Sequence, residues 1–318
     1  MIFGVMGRLG KVFSGVPIPI CGLAVAMASL DRYLSQSYDE YVNIFAVMSA
    51  ILIILFSMRM ITDFKGIRKD LESPILFGVF PIYFMTVIVL STHVNGFSEA
   101  IASILWLSAL IMCFAMMPLF VHRFILKFDI RNVFPSWFVM FIGHLVGSVT
   151  SVTMGYEEIG RLLFWFGMIA YVILLPLILY RVVKVKGIPE PAVPNIAIIA
   201  APPNLLLVGY LTSFGSSAND AVVGMLTAFG IVSYVAVLAY MPFMMKRKFY
   251  PSYAAFTFPL AISMVSMSMI ESFYGLQDGL FGVFQTLSVV IAIAVVLYVL
   301  VRYIIFLSGS MRPKAAVQ

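Results

Sequence analysis

Apolar stretches long enough to cross a membrane recur ten times along this chain, separated by short polar connections. They cover residues 13–30, 41–62, 74–92, 99–121, 135–154, 159–180, 193–213, 221–243, 251–270 and 280–306. A helix needs about 20 apolar residues to span the hydrocarbon core of a bilayer. The pattern therefore predicts an all-α polytopic membrane protein, with residues 1–318 forming a single domain of ten transmembrane helices.

Composition excludes the soluble classes of protein. The 318 residues are 62% hydrophobic and only 11% charged, whereas soluble domains carry about 25% charged residues. We find no metal-ligand cluster and no nucleophile–base pair in the sequence, so we expect neither an enzyme nor a cofactor. The net charge of +6 fits contact with acidic lipid better than a nucleic-acid partner.

Basic residues set the predicted orientation of the helices. Of the 20 Lys and Arg, only Arg32 and Arg161 fall in the loops of one side. Loops rich in Lys and Arg stay in the cytoplasm, so the other side is predicted to be cytoplasmic. Both termini then lie inside the cell, which requires an even number of helices and agrees with ten.

Interruptions of the apolar stretches recur with a period of roughly 60 residues, a spacing typical of tandem structural repeats. They fall in the odd-numbered stretches, at Pro19, Pro81, Gly143, Pro202 and Pro259. The repeats are about 10–70, 71–131, 132–188, 189–248 and 249–310. We predict five helical hairpins of the same orientation around a central pore, with the odd-numbered helices inside.

Proline and embedded polar residues mark a candidate pathway along the odd-numbered helices. Proline bends a helix and frees a carbonyl group, which is tolerated in a membrane only against protein or a watery cavity. The alternative is that each proline only shapes packing. The candidate pore-lining residues are Pro19, Phe80, Pro81, Gly143, His144, Pro202, Asn204, Thr257 and Pro259.

Two of these candidates keep a second interpretation. His144 either lines the pore and makes conduction depend on pH, or is a buried neutral imidazole bonded to a carbonyl group. Phe80 precedes Pro81 and either contacts a gate or is a packing residue.

Residues 249–260, from Phe249 to Leu260, resemble the ninth-helix signature of the tellurite-resistance/dicarboxylate transporter family, which includes the plant slow-type guard-cell anion channels. Residues 189–203 and 17–24 fit the same family, although Ala254 stands where a second aromatic residue is common. The resemblance implies ten helices with the odd set inside, a homotrimer with one pore per protomer, and a pore plugged by the phenylalanine before the ninth-helix proline. That residue is Phe258. We expect the protein to lie in the cytoplasmic membrane of a bacterium.

No Lys or Arg lies in the middle of an odd-numbered helix. A pore without them still passes anions through hydroxyl groups and positive helix ends, with weak binding. The sequence therefore predicts a gated passive channel for small monovalent anions such as chloride and nitrate. The alternative is a proton-coupled secondary transporter or exporter of C4-dicarboxylates, sulfite or tellurium oxyanions. Since the odd helices hold no mid-membrane Asp or Glu, only His144 could couple protons.

Overall fold

The computed structural model describes residues 13–38 and 40–310, and this part of the chain forms helices and no strand. Its long helical stretches follow the predicted ones in order, with a short helix, Phe64–Asp70, after the second. The stretches are α1 (Ile20–Ser37), α2 (Ile44–Thr62), α3 (Pro74–Val94), α4 (Glu99–Ile125), α5 (Ser136–Thr150), α6 (Glu157–Val185), α7 (Glu190–Ser217), α8 (Asp220–Met245), α9 (Pro251–Tyr274) and α10 (Leu280–Ser310). The basic residues at the two ends of the sequence lie outside the described residues.

Eight of these stretches are long and apolar enough to cross a membrane. The two others are α1, which contains Asp31 and Arg32, and α5, which has fewer than 18 residues. The all-helical class is confirmed for the described residues, while helix length and hydropathy together support eight crossings where the sequence predicts ten.

The bounds of α1 correct the predicted span at 13–30. The helix begins after Pro19, because two prolines in the preceding turn lack the backbone donor that a helix interior needs. It continues past residue 30 because the buried Asp31 carboxylate finds partners within the protein. These are the Tyr41 hydroxyl (2.7 Å), the backbone N–H of Ala46 (2.8 Å) and His93 Nε2 (2.9 Å).

Regular α-helix breaks at or within a few residues of the predicted interruptions in α3, α5, α7 and α9. In α3 the break falls at Phe80 and Pro81, and in α5 a 3₁₀ turn covers Gly143–Leu145. In α7 a 3₁₀ helix, Glu190–Ala200, precedes the α-helical part, and in α9 a 3₁₀ helix, Pro251–Phe256, does the same.

Burial separates the odd-numbered from the even-numbered stretches. The central parts of α3, α7 and α9 are 67–83% buried, against 28–33% for α2, α4, α6, α8 and α10. The exposed faces of the even-numbered stretches are apolar, which is the pattern of a lipid-facing exterior. Examples are Ile104, Ile111, Ile169, Val172, Val232, Val290 and Ile304. These faces indicate an integral membrane protein whose core lies among the odd-numbered stretches.

The five odd-numbered stretches contact one another in a closed cycle, α1 to α3, α5, α7, α9 and back to α1. Each also packs against the even-numbered stretch that follows it. Side-chain hydrogen bonds connect neighbouring helices of this cycle. The donors and acceptors are Thr86 to the Cys21 carbonyl (3.3 Å), Thr257 to the Gly22 carbonyl (3.0 Å), Ser148 to the Gly209 carbonyl (3.2 Å) and the Asn204 amide to the Ser263 hydroxyl (2.9 Å). Many of the buried polar side chains therefore stabilise the packing of one helix against another.

Candidate functional site: three linked cavities

Three cavities lie among the odd-numbered stretches and share lining residues. The inner cavity, on the Arg59 side, has a volume of about 460 Å³, and the central cavity about 50 Å³. The outer cavity, on the Arg32 side, also has about 50 Å³. Pro19, Val79 and Asn195 line both the inner and the central cavity, while Leu205 and Phe258 line both the central and the outer cavity. The shared residues put the cavities in the order inner, central, outer.

The central cavity is lined almost entirely by apolar groups. Its walls come from α1, α3, α5, α7 and α9, and Asn195 is the one polar side chain among its lining residues. Space is left because small residues, among them Gly22, Ala254 and Ala255, face it. A water molecule needs about 10–15 Å³ by the same measure, so the cavity holds a few waters or one small ion. It has no group that would bind an ion tightly.

Phe258 forms the wall between the central and the outer cavity. Its side chain is only 5% exposed, and it stands at the start of the α-helical part of α9. The residues on either side are fixed: the Thr257 hydroxyl donates to the Gly22 carbonyl (3.0 Å), and the Pro259 carbonyl accepts from Ser263 (2.7 Å).

The inner cavity contains a neutralised arginine. Arg59 donates to the Val16 carbonyl at 2.8 Å and to the Asp70 carboxylate at 2.7 Å, and its Nε lies 3.6 Å from Asp63. The guanidinium side chain is 7% exposed. Two carboxylates offset its charge, so Arg59 ties together the segments around the cavity and contributes little net field.

The outer cavity combines polar groups with apolar walls. Arg32, Tyr33 and Gln36 of α1 line it, with Leu205 and Phe258 opposite. No Asp or Glu is among its lining residues. Of the basic residues in the structured part of the chain, Arg59 lines the inner cavity and Arg32 the outer one.

Five of the residues singled out in the sequence line these cavities, and five do not. Those in the lining are Pro19, Gly143, Pro202, Phe258 and Pro259. Those outside it are Phe80, Pro81, His144, Asn204 and Thr257. Most of the second group are engaged with neighbouring helices.

The contacts of His144 and Phe80 lie on the outward sides of α5 and α3. His144 Nε2 is 3.3 Å from the Leu163 carbonyl of α6, and its ring packs 5.0 Å from the rings of Phe114 and Phe166. Phe80 packs edge-on against aromatic rings of α2 and α3. The geometry thus matches the second interpretation given for each residue above.

Asn195 and Leu205 are lining residues that the sequence did not single out. Asn195 is a polar residue in an apolar stretch, seven positions before Pro202, and that position was the available signal. Its side chain is buried among protein groups, makes no hydrogen bond with the described residues and faces two cavities. Leu205 has no such signal, because one leucine among many on α7 looks the same in sequence.

The helices and cavities define an all-helical integral membrane protein with interior space among its most buried helices. Residues 14–304 match the family described as voltage-dependent anion channel, SLAC1, so the chain belongs to this family of membrane anion transport proteins. The resemblance to the tellurite-resistance/dicarboxylate transporters is thereby confirmed. The chain is also similar to the tellurite resistance protein TehA homolog of Haemophilus influenzae, with 22% identity over 255 residues, 78% of this chain and 77% of the relative.

Proposed function

We propose that the protein is a passive channel for small monovalent anions, with chloride and nitrate as the candidate ions, and that Phe258 closes it. Ions would pass through the inner, central and outer cavities in turn. The single observation that carries the proposal is that Phe258 lines both the central and the outer cavity of a chain from an anion channel family. An aromatic ring at a narrow apolar level blocks ions sterically and by excluding water.

The lining of the central cavity favours a channel over a proton-coupled transporter. It holds no Asp, Glu, His, Lys or Arg. A proton-coupled step needs a titratable group that both proton and substrate can reach, and His144 is outside the three cavities. An apolar passage with one amide binds anions weakly, so they leave quickly, which suits passive flow.

We also propose ten crossings as five hairpins around this pathway, with both termini in the cytoplasm of a bacterium and three protomers in the assembly. The closed cycle of contacts among the odd-numbered helices and their greater burial support the arrangement of five hairpins around a central pathway.

The chain has two cysteines, Cys21 and Cys113, both buried. Cysteines introduced at Gly96 and Lys127 should therefore react with an impermeant maleimide from opposite sides of the membrane. Reaction of both from one side would refute the arrangement.

Chloride efflux from proteoliposomes tests the gate. In Phe258→Ala the ring that separates two cavities is absent, so we expect faster efflux than in the unmodified protein. Lowering the barrier by about 1.4 kcal/mol raises the rate tenfold, and we expect at least that factor. The flux should not change when a pH gradient is imposed.

Phe80→Ala is the matched control. It also removes a buried ring before a helix-breaking proline, but this ring lines none of the three cavities. Truncating a buried phenylalanine costs about 3–5 kcal/mol of stability, so both variants must first elute as folded protein. Equal efflux from a folded Phe258→Ala variant and the unmodified protein would remove Phe258 as the gate.

A further inference from the structure

Arg32 lines the outer cavity together with the proposed gate, Phe258. It lies on α1, and its side chain lines the same cavity as Phe258 and Leu205. One guanidinium nitrogen donates to the Thr153 hydroxyl at 2.9 Å. The group is partly buried, so it is less well hydrated than a lysine or arginine on an open surface.

Arg32 has no carboxylate partner within 4.0 Å among the described residues, in contrast to Arg59 and Arg161. Arg59 pairs with Asp70, and Arg161, the other basic residue on the same side, pairs with Glu158 at 2.8 Å. The neighbouring Asp31 carboxylate accepts hydrogen bonds from Tyr41 in the α1–α2 connection and Ala46 in α2, and it lies against His93 of α3. Among the described residues, no carboxylate therefore neutralises the positive charge of Arg32.

A partly desolvated cation without a counter-ion attracts an anion into the cavity it faces. A guanidinium group presents five N–H donors in a planar fork, and among the described residues it makes one hydrogen bond, to Thr153. That fork matches two oxygens of one planar oxyanion better than it matches a spherical ion. Nitrate is an oxyanion of this shape.

We propose that Arg32 is an anion-binding residue at the outer mouth, and that it holds nitrate more tightly than chloride before the ion reaches Phe258. This inference deepens the proposed channel function and rests on it for its role in conduction. Binding itself is a separate property of the cavity and can be measured without any current.

Thermal unfolding of the purified protein measures the binding step. Nitrate is titrated against fluoride at constant ionic strength, since a ligand that binds only the folded state raises its stability by RT ln(1 + L/Kd), where L is the free ligand concentration. We expect nitrate to stabilise the unmodified protein, and Arg32→Gln to weaken nitrate binding at least about tenfold, as for loss of a hydrogen bond to a charged group. Arg32→Lys should keep part of the binding and lose the preference for nitrate over chloride.

Arg161→Gln is the control, because it removes a cation from the same side that lines none of the three cavities. It should leave the nitrate effect unchanged. Equal nitrate stabilisation of Arg32→Gln and the unmodified protein would overturn the inference, as would the absence of any nitrate effect in the unmodified protein. Anion flux from the same preparations separates the two proposals: nitrate binding that depends on Arg32 without any anion flux would refute the channel and leave the site standing.

Discussion

The two cavity mouths each contain an arginine, and the two arginines differ in what surrounds them. Arg59 at the inner mouth is almost fully buried and has two carboxylates and a carbonyl group as partners. Arg32 at the outer mouth has one hydroxyl group and open cavity. We therefore expect a basic residue beside the proposed pathway to act on ions only if neighbouring carboxylates do not neutralise its charge. A position on the side predicted to be cytoplasmic, where most basic residues are expected, is then not sufficient by itself.

The largest expected effect comes from breaking the neutralised arginine. Arg59→Gln leaves the Asp70 carboxylate without its closest cationic partner, and we expect a loss of about 2–3 kcal/mol in the free energy of unfolding. Breaking a fully buried pair costs about 3–5 kcal/mol, and the 30% exposure of Asp70 reduces that figure. Arg32→Gln should cost under about 1 kcal/mol, because Arg32 is only partly buried and its partner Thr153 is exposed. Thermal unfolding in detergent measures both, and equal losses would remove the distinction between the two arginines.

A second prediction concerns Asp31, next to Arg32 in the sequence. Asp31→Asn should lower stability by about 1–3 kcal/mol, because it weakens hydrogen bonds to a fully buried group. Removing a negative charge beside the outer cavity should leave the nitrate effect on stability intact or larger. Loss of the nitrate effect in a folded Asp31→Asn variant would mean that the charge of Arg32 does not by itself attract nitrate to the outer cavity.

The smallest effect is expected at the boundary between the inner and the central cavity. Here the polar group open to the cavities is the amide of Asn195. In the Phe258→Ala background, Asn195→Leu should lower anion flux by about tenfold, as expected when one hydrogen bond to an ion is lost. Ile198→Leu, at a neighbouring apolar lining residue, is the control. Unchanged flux in Asn195→Leu would mean that ions pass this level without the amide.

Much of the fold could be read from the sequence, because a membrane leaves few choices for an apolar chain. Apolar length gave the helices, and proline and glycine gave the breaks at Pro81, Gly143 and Pro202. The bounds of α1 were wrong because hydropathy treats Asp31 as the end of a helix, while tertiary hydrogen bonds allow the helix to continue.

The site was only partly predictable, for a related reason. Polar residues on a buried helix look alike in sequence, whether they bond to a neighbouring helix or face a cavity. Thr257 and Asn204 bond to neighbours, whereas Asn195 faces space. Rotation of a helix by a fraction of a turn separates the two outcomes, and the sequence does not specify that rotation. Whether Arg32 is neutralised depends likewise on residues distant in the chain.

The central claim is that the three cavities form one anion pathway closed by Phe258, and the reversal potential of the Phe258→Ala variant tests it most directly. The variant is placed in a planar bilayer with a tenfold sodium chloride gradient. We predict discrete ohmic current steps that reverse near the chloride equilibrium potential, about 59 mV from zero for a tenfold gradient of a monovalent ion, and few steps in the unmodified protein. Steps that reverse near the sodium potential, or folded protein without any steps, would contradict the account.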